Sequence, residues 1–323
     1  MGLASTIVVL GLATLGLAGC DNGKTHLHPP YSSRDAYEAP WWTPMAGEAK
    51  NWDIQIAPPY DVTANRAMYV LDLWAVSTAT TIDYGDGSPV AVPAGPLAGK
   101  VAELHGRGSK VICRVGTGAI RLTDPDAAKF PGATGTPPDR PTAPAAGSVI
   151  GWSTDDPMER YLDVRAASRG MWEARMWKRF DLAKQLGCDG ILHDWSDVIS
   201  GDSGFTISVS DQQSFGDALA TKDHERELSA GMHNGTTNPL VDPFAAQFDW
   251  LFVERCGEYG DCGLARPFLN LRKAVFAVDY TTDDQGAPLT TSRVCTEQQS
   301  GMINDGIVKD ALLSSTVRTQ CVP

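Results

Sequence analysis

The sequence is short of basic residues. Its 323 residues include 27 Lys and Arg against 39 Asp and Glu, which gives a net charge of −12 and a pI of about 4.9. An acidic surface repels phosphate backbones, so nucleic acid is not an expected partner. A cationic ligand such as an unacetylated amino sugar would be attracted instead. The alternative interpretation is that the acidic pI only keeps an exported protein soluble.

Several motifs with known chemistry are also missing. The sequence contains no phosphate-binding loop, no dinucleotide fingerprint and no Gly-x-Ser-x-Gly elbow, so nucleotide chemistry and Ser-His-Asp catalysis are not expected. The cysteines lack the close paired spacing of a zinc site. We therefore expect a protein that works without a cofactor and without a metal.

Charged side chains are absent from the first nineteen residues, which are apolar and small and end in Leu17-Ala18-Gly19-Cys20. Such a run is typical of a secretory signal and is too short for a comfortable membrane span. The ending is similar to a bacterial lipobox, in which Cys20 is acylated and becomes the mature N-terminus, although no Lys or Arg precedes the run. The alternative is an ordinary signal with an accidental cysteine. We expect an exported protein, lipid-anchored at the outer face of the cell membrane or located in the periplasm or outside the cell.

Six further cysteines follow, an even number that permits disulfides in an oxidising compartment. Two pairs are disulfide candidates: Cys256 with Cys262, and Cys295 with Cys321. Cys113 and Cys188 lie in or beside apolar runs, and we expect both to be free buried thiols that act as small core residues.

The chain divides into three parts. After the signal of residues 1–20, residues 21–48 are rich in Pro, Ser, Asp and His without periodicity, and they predict a flexible tether. Residues 49–323 predict the folded domain, in which residues 130–148 form a long loop. No internal repeat is visible, and we expect a monomer.

Eight short apolar or alternating runs predict the strands of this domain. Each has the length and the Val, Ile and Leu bias of a strand buried in a parallel sheet. They are Trp52–Ile56, Ala67–Leu73, Lys110–Gly116, Arg160–Arg165, Gly190–Trp195, Ser229–Asn234, Trp250–Cys256 and Lys273–Tyr280. Helical patterns lie between several of them, so the fold class is α/β, a single TIM-like (β/α)8 barrel.

Polar side chains end every one of these runs, and five of them are acidic. They are Gln55, Asp72, Arg114, Asp163, Asp194, Asn234, Glu254 and Asp279. Catalytic groups of such barrels lie at the carboxyl ends of the strands. A buried carboxylate costs free energy unless it is paired or hydrogen-bonded, so this many acidic ends indicates a functional site.

The runs and their flanking residues occur in the order of a known family. The segments are GSKVICRVGTG, RYLDVR, RFDLAKQLGCDGILHDWSD, LSAGMHN, FDWLFVERCGEYGDC and KAVFAVDY. Together they resemble the endo-α-1,4-polygalactosaminidase family, glycoside hydrolase family 114, over about residues 52 to 282. The resemblance implies an exported enzyme that cleaves α-1,4-linked, galactosamine-rich exopolysaccharide.

The family's two catalytic carboxylates correspond to Asp194 and Glu254. Glycoside hydrolysis needs one carboxyl group to protonate the leaving oxygen and one to attack or to activate water. The resemblance implies Glu254 as the acid and Asp194 as the nucleophile or base, and the roles could be exchanged. The structural alternatives are a pairing of Asp194 with Arg114 and a salt bridge from Glu254 to a neighbouring arginine.

Some neighbouring positions depart from the family. His193-Asp194-Trp195-Ser196 replaces the usual Glu-Pro-Asp-Asn, Arg114 replaces an aromatic residue, and His233 replaces a Lys. The histidine exchanges a fixed cation for a group that titrates near neutral pH. These changes leave open a second hypothesis, a non-catalytic or retargeted barrel that binds cell-surface glycan.

Nine residues of these segments and of the run Ala67–Leu73 are candidate substrate-binding residues. They are Asp72, Arg114, Asp163, Trp195, Asp197, His233, Asn234, Tyr259 and Tyr280. Trp74 and Trp152 are further candidates for stacking on sugar rings. The structural alternatives are that His193 is a core histidine, that Asp197 caps a helix, and that the aromatic residues are core or loop anchors.

Overall fold

The structure is a computed structural model that describes residues 39–134, 138–236, 240–303 and 305–321. All of them belong to one compact unit, Tyr31–Pro323. The predicted signal, Cys20 and residues 21–38 of the predicted tether lie outside the described residues. Within the described part, no helix is both long enough and apolar enough to cross a membrane.

Fourteen strands are formed by the described residues. They are β1 (Trp52–Gln55), β2 (Met68–Asp72), β3 (Thr80–Ile82), β4 (Val90–Val92), β5 (Lys110–Gly116), β6 (Ala119–Arg121), β7 (Ile150–Ser153), β8 (Glu159–Leu162), β9 (Gly190–Asp194), β10 (Ser229–His233), β11 (Trp250–Glu254), β12 (Val275–Tyr280), β13 (Asp305–Lys309) and β14 (Arg318–Cys321). Nine of them form one sheet in the order β1-β2-β5-β9-β10-β11-β12-β13-β14. The first eight are parallel and β14 is antiparallel to β13, so the sheet is a nearly closed α/β barrel.

The helices cover the outside of this sheet. They are α1 (Leu73–Val76), α2 (Lys100–Gly106), α3 (Ala166–Arg169), α4 (Glu173–Leu186), α5 (Val209–His224), α6 (Val241–Gln247), α7 (Cys256–Tyr259), α8 (Arg266–Asn270) and α9 (Thr291–Ser300). Ser208 begins α5 with a capping box in which Ser208 and Asp211 each satisfy a backbone N–H of the other. Gly187 ends α4 in the left-handed conformation, where glycine carries no steric penalty.

One strand prediction was wrong. Residues 160–165 do not supply a barrel strand, because Glu159–Leu162 lies in a separate antiparallel sheet of order β6-β8-β7. The eighth parallel strand of the barrel is instead Asp305–Lys309. A short apolar run does not reveal its partner, and a segment that begins Asp-Gly and ends in Lys has the signals of a turn.

Strand alternation produces two apolar cores. Ile54, Val70, Ile112, Leu192, Phe252 and Val278 point into the barrel. Tyr69, Leu71, Val111, Ile191, Leu251 and Ala277 point outward against the helices. Inside the barrel Gly231 makes room for Trp250, because a Cβ at residue 231 would lie 2.1 Å from the indole. The two periodic faces therefore fix which strand-end side chains face inward.

Side chains connect β1 to β13 and β14 at the seam of the barrel. The ammonium of Lys309 donates to Asp53 at 2.8 Å, and both side chains are almost fully buried. Arg318 Nε donates to the carbonyl of Trp52, whose own indole N–H donates to the carbonyl of Asp305. Removal of Asp53 would leave the buried ammonium of Lys309 without its carboxylate, whereas removal of Lys309 would leave Asp53 with Arg318 at 3.9 Å.

Three disulfides join the described cysteines. Cys256 pairs with Cys262 and Cys295 with Cys321, as the sequence predicts. The expectation of free thiols at Cys113 and Cys188 was wrong, since these two form the third disulfide. Cys113 lies on β5 and Cys188 lies two residues before the neighbouring strand β9, and this brings the two Cα atoms within 5.9 Å across 75 residues of sequence.

Residues 39–48, the described part of the predicted tether, lie against the barrel. The indole N–H of Trp41 donates to Asp249, and the backbone of Met45 bridges to Lys273. The N–H of Gly47 donates to Asp305 of β13 at 2.8 Å. Contact with the folded unit therefore begins before residue 48.

Candidate active site

A cavity of about 490 Å³ opens at the carboxyl ends of the barrel strands. This volume lies within the range of small-molecule sites, about 300–1,000 Å³. Six carboxylates line it: Asp155, Glu159, Asp194, Asp197, Asp202 and Glu254. The cationic residues on its wall are Arg114, Arg140 and His233, and Tyr161, Trp195 and Phe252 supply aromatic surface.

Strand alternation directs the charged side chains into this cavity. The inward apolar residues Ile112, Leu192 and Phe252 are each followed two positions later by a charged residue. Those residues are Arg114, Asp194 and Glu254. His233 of β10 stands between Asp194 of β9 and Glu254 of β11, since β10 pairs with both strands.

The backbone bends sharply behind three of these strand ends. Trp195, Asn234 and Arg255 each have a positive φ, of 57°, 54° and 61°. Each directly follows the last residue of β9, β10 or β11. Left-handed conformations are uncommon outside glycine and concentrate at functional sites, so these bends mark the edge that carries the cavity.

Asp194 is held by two cations. Its Oδ2 accepts from Arg114 Nη2 in a short contact, and its Oδ1 lies 2.6 Å from His233 Nδ1. Burial opposes ionisation, but the charge of Arg114 and then the contact with His233 outweigh it and lower the pKa of Asp194 to about 2. Asp194 is therefore an anion at any physiological pH.

His233 lies between the two candidate catalytic carboxylates. Nδ1 contacts Asp194, and Nε2 lies 3.4 Å from Glu254 Oε2. Burial acts to lower the pKa of His233, but the charge of Glu254 and the hydrogen bond with Asp194 raise it to about 10. The expectation of a group that titrates near neutral pH was wrong, because two anions hold the imidazole in its cationic form.

Glu254 is more open than Asp194, with 24% of its side chain exposed against 4%. The hydroxyl of Tyr280 donates to Glu254 Oε1 at 2.7 Å, and the backbone N–H of Glu254 donates to Asn234 Oδ1 at 2.9 Å. Burial opposes ionisation of Glu254 as well, but the His233 charge and the Tyr280 hydrogen bond lower its pKa below the ordinary value.

Arg114 connects Asp194 with two further carboxylates. Its guanidinium lies 3.5 Å from Asp72 and 4.0 Å from Glu159. Asp72 also caps α1, since it accepts from the backbone N–H groups of Trp74 and Ala75. Asp72 lies behind Arg114 in a separate cavity of about 20 Å³, which is enough room for one water.

Glu159 is a cavity residue that the sequence did not indicate. Its Oε2 accepts from Trp195 Nε1 at 2.7 Å and from the Thr154 hydroxyl at 3.0 Å. Burial and then the charge of Asp194 raise the pKa of Glu159. Glu159 is the first residue of β8 and does not end a barrel strand, so the strand-end pattern does not predict it.

Asp197 also lies in the cavity wall, in the loop after β9. Burial raises its pKa to about 6, although the charge of His233 acts in the opposite direction. The Asp197 carboxylate accepts no capping hydrogen bond from the backbone of the short helix Val198–Ser200 that follows it, and its side-chain partner there is Ser200. The position on the cavity favours the substrate-binding interpretation over the helix cap.

Several predicted residues lie elsewhere. Asp163 pairs with Arg165 at 2.6 Å and accepts from Ser168, outside the cavity, because its run is not a barrel strand. Tyr259 is 57% exposed on α7 and is not part of the cavity lining. His193 is a core histidine, fully buried and 2.7 Å from Asp223.

The two tryptophans proposed for stacking are also outside the large cavity. Trp74 lies under the guanidinium of Arg179 and lines the small cavity beside Asp72. Trp152 donates to the carbonyl of Thr142 and lies under Arg140. Trp74 therefore packs against a buried arginine of α4 and Trp152 against a loop, which are the structural alternatives for these residues.

A parallel α/β barrel with two ionised carboxylates facing one cavity at the carboxyl ends of its strands is the arrangement of a barrel glycosidase. Comparison with protein families agrees. The model of glycoside-hydrolase family GH114 matches residues 32–322, so the chain belongs to this family and is a glycosidase.

Solved structures show the same fold. The crystal structure of Ega3 from Aspergillus fumigatus in complex with galactosamine superposes with a TM-score of 0.65 and 24% identity, over 87% of this chain and 97% of that one. The glycoside hydrolase domain of a PelA variant from Pseudomonas aeruginosa superposes with a TM-score of 0.50 and 14% identity, over 84% and 98% of the two chains. A search of curated protein sequences found no match.

Proposed function

We propose that this glycosidase cleaves α-1,4-linked, galactosamine-rich polysaccharide from inside the chain by a two-carboxylate mechanism. The observation that carries the proposal is the Asp194–His233–Glu254 arrangement, in which two carboxylates from β9 and β11 face one cavity on either side of a cationic imidazole. Glycoside hydrolysis needs such a pair, with one member able to carry a proton.

The surroundings of the two carboxylates support different roles. Asp194 contacts two cations and stays ionised, which suits a nucleophile or a base. Glu254 has a single cation at 3.4 Å and the larger exposed fraction, so it takes up a proton more readily. We therefore assign Glu254 as the general acid and Asp194 as the group that attacks the anomeric carbon or activates water.

The charge of the cavity supports a cationic sugar. Six carboxylates face three cationic residues on its wall, so the wall is acidic on balance. Such a field favours the ammonium groups of unacetylated amino sugars over neutral sugars. Asp197, Glu159 and Trp195 lie on this wall, and the Tyr280 hydroxyl donates to Glu254 from outside the cavity lining. The complex of Ega3 with galactosamine makes this amino sugar the leading candidate.

The second hypothesis, a barrel that only binds glycan, predicts that ion pairs occupy both carboxylates. Asp194 fits that description, since Arg114 and His233 take both of its oxygens. Glu254 is also paired with His233, at 3.4 Å, but 24% of its side chain stays exposed and it lines the cavity. The open carboxylate and the family membership favour hydrolysis.

The proposal includes export and a lipid anchor. Three disulfides are typical of proteins that fold in an oxidising compartment. Acylation of Cys20, followed by a tether, would hold a monomeric barrel at a membrane surface. Mass spectrometry of the mature N-terminus tests this part, because a diacylglyceryl cysteine at Cys20 is expected and an unmodified terminus would contradict it.

The proposed substrate is tested by measuring cleavage of de-N-acetylated and of fully N-acetylated galactosamine polymers. We expect new reducing ends from the de-N-acetylated polymer and at least a ten-fold lower kcat/KM on the acetylated one, because only the former carries ammonium groups for the acidic wall. The KM for the cationic polymer should rise with ionic strength. Equal cleavage of both polymers, or a KM independent of salt, would contradict a cationic substrate.

A further inference from the structure

The source of the proton for the leaving oxygen is not explained by Asp194 and Glu254 alone. Both have a pKa below the ordinary value, so neither stores the proton that the leaving oxygen needs. The usual solution is one carboxylic acid with a raised pKa. The residue between them, His233, is the group that holds a proton at neutral pH.

The contacts of His233 are asymmetric. Nδ1 lies 2.6 Å from Asp194, a strong charge-assisted hydrogen bond. Nε2 is buried without a hydrogen-bond partner, and its nearest carboxylate oxygen is Glu254 Oε2 at 3.4 Å. Hydrogen bonds have lengths of about 2.7–3.2 Å, so a small movement of Glu254 towards the ring completes this one. Catalytic hydrogen bonds are often long in the free enzyme and shorten with substrate.

We infer that His233 is a positioning residue that stores the catalytic proton and passes it through Glu254 to the leaving oxygen. This inference rests on the proposed function of the Asp194–Glu254 pair and adds the source of the proton. Asp194 fixes the ring through Nδ1, so Nε2 remains directed to the Glu254 side.

The bond changes balance in each step. The His233 Nε2–H bond breaks as a Glu254 Oε2–H bond forms. That O–H bond then breaks as its proton reaches the glycosidic oxygen, and the C1–O bond breaks with its electron pair on the departing oxygen. The new bond to C1 uses an electron pair of a water that Asp194 deprotonates, or of Asp194 itself. If Asp194 attacks, a second water then displaces its oxygen from C1, the C1–Oδ electron pair returns to Asp194, and Glu254 takes the proton of that water and passes it to solvent. Neutral His233 then takes a proton from solvent, and Asp194 returns to solvent any proton it accepted.

The carboxylates that face His233 stabilise its cationic form. Asp194 and Asp197 approach from β9 and the loop after it, and Glu254 approaches from β11. Arg114 on β5 and Tyr280 on β12 affect His233 indirectly, because Arg114 donates to Asp194 and Tyr280 donates to Glu254. Phe252 contacts the ring edge-on and adds no charge.

The first test is a nitrogen-15 NMR titration of histidine-labelled protein without substrate. We expect both ring nitrogens of His233 to be protonated at pH 7.5, and the pKa of His233 to fall in Glu254→Gln. His105, which lies 2.8 Å from Asp189 and has a 38% exposed side chain, is the matched control, and its ring-nitrogen signals should be the same in both proteins. A neutral His233 at pH 7.5 would overturn the inference. This arm does not depend on activity, so it decides the inference even if the wild-type protein cleaves no galactosamine polymer.

The second test is the pH dependence of kcat on de-N-acetylated galactosamine polymer. In His233→Gln we expect kcat at pH 7.5 to fall at least about 10²-fold and the remaining activity to be highest at acidic pH, where Glu254 takes its proton from solvent. His233→Lys, which keeps a cation, should recover activity at pH 7.5, and His105→Gln should match the wild type. If the His233→Gln profile keeps the wild-type shape at a lower height, His233 only positions its neighbours, and the inference fails. Thermal unfolding of each variant confirms that it is folded.

Discussion

At the scale of residues, the carboxylates of the cavity differ in the cations that reach them. Asp194 has two cations in contact, Glu254 has one at 3.4 Å, and Asp197 is influenced only by the more distant charge of His233. The pKa of Asp194 is about 2, whereas that of Asp197 is about 6. The same side chain is thus anionic at one position and titrates just below neutral pH at the other.

This difference predicts the effect of Asp197→Asn on stability. A carboxyl group whose folded pKa is raised from about 3.9 to about 6 stabilises the fold only at low pH, and the contribution is lost as pH rises through 6. Asp197→Asn should therefore raise the free energy of unfolding by on the order of 1–3 kcal/mol at pH 7.5 and change it little at pH 4. Urea unfolding at both pH values measures this.

The matched control is Asp202→Asn. Asp202 lies in the same loop with a 62% exposed side chain, and its substitution should stay within about 0.5 kcal/mol at both pH values. An Asp197→Asn protein that is equally stabilised at pH 4 and pH 7.5, or destabilised at pH 7.5, would contradict the raised pKa.

The sequence predicts part of the site at this scale. Strand ends and the family resemblance identify Asp194, Glu254, Arg114 and His233, because alternation along a strand fixes the direction of each side chain. Glu159 is missed, since it begins a strand of a different sheet. The charge state of His233 is also missed, because it depends on two anions that approach from neighbouring strands.

Among the secondary-structure elements, the barrel strands can be predicted from the sequence better than the strands that lie in the connections between them. Seven of the eight predicted runs are barrel strands, because a buried parallel strand needs a run of Val, Ile and Leu wherever it occurs. The run at residues 160–165 is buried as well, but in the antiparallel sheet beside the cavity. The burial of a strand can be predicted from its own apolar run, whereas the identity of its partner strand depends on residues far away in the chain.

The disulfides provide a prediction at this scale. The Cys113–Cys188 bond closes a loop across 75 residues, and the Cys256–Cys262 bond closes one across six. In the chain-entropy account the longer loop contributes about 4 kcal/mol and the shorter about 2 kcal/mol. The double variant Cys113→Ala with Cys188→Ala should therefore lose more stability in urea than Cys256→Ala with Cys262→Ala. The reverse order would show that loop length does not control the contribution of these bonds.

For the whole molecule, the net charge and the charge of the cavity wall both favour a cationic ligand. The chain carries a net charge of −12, and the cavity wall adds a local excess of carboxylates. Long-range attraction of a cationic polymer and short-range selection by the wall thus act together. The charged strand ends and the cavity lie at the same edge of the sheet. The three left-handed residues after β9, β10 and β11 lie at this edge as well.

Cleavage of de-N-acetylated galactosamine polymer by the wild type and two single variants tests the roles of Asp194 and Glu254. We expect new reducing ends from the wild type, and a loss of at least about 10²-fold in kcat for both Asp194→Asn and Glu254→Gln. Asp242→Asn, an exposed position on α6 outside the cavity lining, should retain wild-type activity. Activity that stays close to the wild-type level in both variants, while the fold is intact, would contradict the assignment of this carboxylate pair.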